Sequence, residues 1–149
     1  MKRALFQITM TAMLALAFLA ASQPVRAQER LVADVPFAFT VGKMTLPAGE
    51  YQVQKWTSDS IMLLIQGTDR SAATFAASHG VESNKPQTQS KLIFHHHGGR
   101  YFLYQIWRAG ESRGRELPQS SEEKEQGLLA HNETPDQVTI VASLVAPKP

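Results

Sequence analysis

The chain reads as mostly β: a single-domain antiparallel β-sandwich or small barrel of about seven strands, with one short helix before the last strand. Three observations predict this class. Leu31, Ala33, Val35, Phe37, Phe39 and Val41 alternate with smaller or more polar residues, the period of a strand with one buried face. Gly98-Gly99 separates two runs rich in apolar and aromatic residues, a pair suited to a two-residue primed hairpin turn. Ser120 stands three residues before Glu123, the spacing of a helix capping box.

The elements follow in order. Residues 1–27 have the layout of a secretory signal peptide. Lys2 and Arg3 form a basic start, an apolar stretch runs from Met10 to Ala21, and Val25 and Ala27 occupy the −3 and −1 positions of a cleavage site before Gln28. Residues 28–149 then form one β domain, periplasmic or secreted. Pro36 cannot donate a ladder hydrogen bond, so the 31–41 strand is an edge strand or is broken there. Leu46-Pro47-Ala48-Gly49 turns the chain into a strand over 50–56 with Tyr51 and Val53 facing inward. Thr57 to Ser60 is a polar turn, and the wholly apolar run Ile61 to Ile65 is expected of a strand covered on both faces. After a turn at Gly67-Thr68-Asp69, a small-residue strand from Ser71 to Ser78 centres on Phe75. A polar loop over 82–89 leads to the central hairpin, 91–97 and 100–107. Its glycine turn pairs His97 with Arg100, His95 with Phe102 and Phe94 with Leu103. Leu92, Phe94, His96, Tyr101, Leu103 and Trp107 then share one face, and Ile93, His95, His97, Phe102, Tyr104 and Ile106 the other. Residues 108–119 read as a polar surface loop and 121–130 as the helix, with Glu122, Glu123 and Glu125 near its positive end. Thr134-Pro135-Asp136 breaks the chain before a last strand over 137–145.

Composition excludes several function classes. The 149-residue chain has 15 basic and 13 acidic residues, but Lys2, Arg3 and Arg26 fall in the leader, which carries no acid. The remainder is close to neutral, which argues against a nucleic-acid partner. There is no cysteine, so a disulfide framework, a thiolate metal site, a cysteine nucleophile and a lipoprotein anchor are all excluded. No segment after the leader approaches the roughly 20 apolar residues of a membrane-spanning helix.

Several blocks have a family likeness: Val35-Pro36-Phe37-Ala38-Phe39-Thr40-Val41-Gly42, Leu46-Pro47-Ala48-Gly49-Glu50-Tyr51, Lys91-Leu92-Ile93-Phe94-His95, Arg100-Tyr101-Phe102-Leu103 and Gly114-Arg115-Glu116-Leu117-Pro118 with Ser120. In this order the chain resembles a group of small exported proteins common in acidobacteria. The resemblance covers most of residues 28–149, and its blocks are strand and turn signatures that imply no chemistry.

The candidate sites are few. His95 and His97 project from one strand face about 7 Å apart along the chain, and imidazole is the commonest side-chain ligand for zinc and copper. A metal site there needs a third ligand, for which His79 and His131 are available. The plainer reading is a polar strand end at the wet side of a hairpin turn. Arg100, Arg108, Arg113 and Arg115 offer an anion-binding patch, against a solvated loop interleaved with Glu111 and Glu116. Tyr101, Tyr104, Trp107 and Trp56 offer a sugar-stacking platform, against ordinary core aromatics. Ser78-His79 does not make a nucleophile and base, because neighbours on a strand face opposite ways and no nucleophile elbow is present. Asn132-Glu133-Thr134 matches a glycosylation sequon followed directly by Pro135.

The expected function is therefore a non-enzymatic exported β domain without a cofactor, binding an envelope protein or surface component. The alternatives are a lipocalin-like carrier of a small apolar ligand and a periplasmic metal-binding protein using His95 and His97.

Overall fold

The computed structural model describes residues 29–131 and 133–146. The leader reading of residues 1–27, the sequon residue Asn132 and residues 147–149 lie outside the described residues. Two sheets are formed. The first has five strands in the order β12-β1-β4-β5-β6: Ser143–Val145, Arg30–Val35, Gly49–Lys55, Met62–Gly67 and Ala73–Ala77. The second has seven. Its main path is β11-β8-β9-β10-β7: Asp136–Val141, Lys91–His97, Arg100–Trp107, Arg113–Glu116 and His79–Glu82. Strand β2 (Phe39–Val41) runs parallel to β9 and pairs with β3 (Met44–Leu46). One helix, α1 (Ser121–Leu129), precedes β11. The sheets do not close into a barrel, and the helix stands before the last strands as the sequence predicts. No helix among the described residues is long and apolar enough to cross a membrane.

The core lies between the sheets. Leu31, Ala33, Val35, Tyr51, Val53, Leu63, Ile65 and Ala76 come from the first, and Phe39, Val41, Leu46, Leu92, Phe94, Leu103 and Ile106 from the second. Phe39 contacts Phe94 and Tyr51 edge-on, with centroids at 5.3 and 5.0 Å, a favourable arrangement of aromatic quadrupoles. The Tyr51 hydroxyl donates to the Pro47 carbonyl at 2.6 Å and closes the 46–51 turn. Burial, aided by the nearby Asp69 charge, holds that phenol above its ordinary pKa.

Two predicted strands are divided between the two sheets, and a third runs on into a strand, His79–Glu82, that the sequence reading does not assign. The 31–41 strand breaks at Pro36, so β1 lies inside the first sheet and β2 in the second. The 71–78 strand ends at Ser78 and continues as β7 across the corner, and the last strand bends at Ala142 between β11 and β12. Two of the corners are held by a backbone bond: Ser78 N–H donates to the Ile61 carbonyl at 2.9 Å, and Ala142 N–H to that of Ser90 at 2.8 Å. Corner strands that change sheet are one route by which two sheets share strands at their margins.

Two sequence expectations change. The 108–119 segment is not only loop, since Arg113–Glu116 forms β10 against β9 and β7. The run from Ile61 to Ile65 is covered on one face only: Leu63 and Ile65 are buried, Met62 and Leu64 are half-buried, and Ile61 is exposed.

The central hairpin keeps its predicted register at the turn. Gly98 and Gly99 have φ of +53° and +78°, as a primed turn requires, and His97, His95 and Phe94 pair with Arg100, Phe102 and Leu103. Further along, Ile93 pairs with Gln105, so β9 carries one extra residue at Tyr104. This bulge exchanges the faces of the strand end. Ile106 enters the inter-sheet core, and Trp107 leaves it to pack on Gly114.

Candidate metal centre at His95, His97 and Glu123

The site begins with strand alternation. His95 and His97 point to the face of β8 away from the inter-sheet core, where Ile93 and Phe102 are also buried. Helix α1 explains that burial. Ser120 caps it, accepting the Glu123 N–H at 3.1 Å. The Glu123 side chain does not complete the capping box. It turns to the sheet and places Oε1 2.6 Å from His95 Nδ1. His95, His97 and Glu123 are 5 %, 7 % and 5 % exposed, which replaces the expectation of a wet strand end. A helix laid over this face, invisible to strand periodicity, is the physical reason.

The three residues offer two imidazole nitrogens and a carboxylate oxygen within 4.8 Å of one another. Tetrahedral coordination with bonds of about 2.0–2.1 Å separates ligand atoms by about 3.3 Å. The cluster is thus close to a ligand set. The His95–Glu123 pair, at 2.6 Å, must open slightly to reach that spacing. Borderline imidazole and hard carboxylate donors together suit zinc or divalent copper. Three protein ligands leave a fourth position for water or a partner's group.

The surroundings fix the rings. Tyr104 stacks on His95 with centroids 3.8 Å apart and planes 25° from parallel, and the bulge puts Tyr104 there. Its phenol is held above the usual pKa, first by burial and then by donation to Glu116. For Glu116, burial alone would raise the pKa. Hydrogen bonds from Gln105 and Tyr104, and the His79 ring 3.3 Å away, outweigh it and hold the carboxyl below its ordinary value. Beside His97 and Glu123 a hollow of about 510 Å³ opens, bordered by Lys124, Gly127 and Pro135.

The other candidates separate. His79 is engaged with Glu116 on β7 and His131 follows the end of α1; neither belongs to the histidine cluster. The residue that does, Glu123, was legible only as a helix cap. Tyr101 stacks on Phe37 and His96, Tyr104 on His95, and Trp107 is buried, so these rings form no common platform with exposed Trp56. Trp56 instead meets Phe75 edge-on at 5.0 Å. The Ser78 hydroxyl donates to the Ile61 carbonyl at 2.7 Å and accepts from Arg115 at 3.0 Å, a corner clasp. Arg100 pairs with Glu122 on α1, whereas Arg108, Arg113 and Arg115 border one cleft.

Compared with family models, curated proteins and solved structures, the chain matches none.

Proposed function

We propose that this is a non-enzymatic exported domain, periplasmic or secreted, that binds a divalent transition-metal ion through His95, His97 and Glu123. The observation that carries the reading is the convergence of two buried imidazoles and one buried carboxylate from separate elements. Buried polar groups of this kind are expensive unless paired. A helix held to the sheet only for structure would need one such pair, not a second buried imidazole beside it. Export rests on the leader pattern, and membership of the acidobacterial group rests on the sequence blocks quoted above. An additional envelope partner is supported by the exposed side chains of Trp56, Ile61 and Phe75.

Calorimetric titration of the metal-stripped protein with zinc and with copper tests the reading. One equivalent should bind with a dissociation constant below about 1 µM. His97→Ala should abolish this uptake, and Glu123→Gln should weaken it at least about tenfold. Uptake only in the millimolar range, or uptake that ignores both substitutions, refutes it.

A further inference from the structure

At the opposite end of β9 from the histidines, the margins of the two sheets stand apart and enclose a cleft of about 990 Å³. We propose that this cleft binds an amphiphilic anion, a short apolar chain carrying a carboxylate or phosphate head. The recognition chemistry is uncompensated positive charge beside an apolar floor. Arg115 is half-buried, yet its guanidinium donates only to neutral acceptors: the Ser78 hydroxyl at 3.0 Å and the carbonyls of Ser78 and Ile61 at 3.1 and 3.3 Å. Lys55, on the facing sheet, reaches only the Ser58 carbonyl at 3.5 Å. Among the described residues, neither has a carboxylate within ion-pair distance.

The remaining charges sharpen the contrast. Arg113 is paired with Glu82 at 3.0 Å, and Arg108 stands 4.0 Å from the Glu29 carboxylate. Glu111 is the one further acid on the rim. Lys55 and Arg115 are therefore the cations left for a ligand, one from each wall. Between them the cleft is floored by Ile106 and Val81. Gly80 lines the cleft beside Val81. An acid head between Lys55 and Arg115 gains charge-assisted hydrogen bonds, and a chain along Ile106 and Val81 gains apolar burial. A bare inorganic anion would use only the first of these.

The test uses the purified protein and three probes: decanoate, decyl phosphate and uncharged 1-decanol. At least one anionic probe should bind with a dissociation constant on the order of 100 µM and shift the Ile106 methyl resonance, while 1-decanol should bind at least about tenfold more weakly. Lys55→Gln should weaken the anion at least about fivefold. Arg115→Gln should do the same, but Arg115 also clasps the Ser78 corner, so the exposed Lys55 carries the test if that variant does not fold. Decanoate against decyl phosphate distinguishes the two head groups. Failure of both anions to saturate by about 1 mM, binding of 1-decanol as tight as theirs, or indifference to Lys55→Gln overturns the proposal.

Discussion

His95 Nδ1 lies 2.6 Å from Glu123 Oε1, and both side chains are shielded from solvent. This contact joins α1 to the seven-stranded sheet at its most buried point. The rest of the helix is held lightly: Glu122 pairs with Arg100 at the surface, and Leu128 and Leu129 are 67 % and 73 % exposed. Glu123→Ala would leave a buried imidazole nitrogen without its partner, at a cost of about 2 kcal/mol. Denaturant unfolding should show that loss, and amide exchange over 121–129 should accelerate more than in the strands. Unchanged protection of the helix would show that it is held by something else.

The cap makes a separate contribution. Ser120→Ala removes the acceptor for the Glu123 N–H and should destabilise the protein by about 1 kcal/mol. Ser120→Gly should recover most of this loss. Equal losses for alanine and glycine would mean that the hydroxyl is not what matters.

Trp107 occupies the space that Gly114 leaves empty, and a Cβ at Gly114 would lie 2.6 Å from an indole carbon. Gly114→Ala must displace a buried ring and should cost about 1–3 kcal/mol by overpacking. Gly80→Ala has open space around it and should shift the unfolding midpoint little. Similar effects of the two substitutions would contradict this packing.

Glu116 gives a pH dependence of known sign. Its folded-state pKa lies below the ordinary value of 4.5, so the folded protein prefers the ionised form. The stabilisation is present above pH 4.5 and is lost as pH falls through the folded-state value. Glu116→Gln should therefore be less stable than the parent at neutral pH, with the gap narrowing under acid. Urea unfolding at both pH values reads this directly, and a gap that widens in acid reverses the assignment.

Much of the architecture is legible because it depends on local chemistry. The alternation through Leu31–Val41, the two glycines of the central turn and the Ser120–Glu123 spacing correspond to strands, a primed turn and a capped helix. What periodicity cannot carry is which sheet a strand joins. Pro36 reads as a local break, Ser78 as a strand end and Ala142 as an ordinary strand position, yet each marks a passage from one layer to the other. The bulge at Tyr104 is equally silent, since one extra residue leaves the aromatic pattern intact while exchanging Ile106 and Trp107 between faces. The candidate metal site was half legible for a related reason. Two histidines on one strand face are visible in a list of residues, but the carboxylate arrives on a helix about 28 residues later. Its spacing from Ser120 already had a sufficient local explanation.

The three through-going corners bear on how the molecule comes apart. Polypeptide that starts in one layer and finishes in the other acts as a covalent stitch, so neither layer can peel away while its neighbour stays intact. Stretching the domain in an optical trap should produce one rupture event, with the loss of both layers simultaneous.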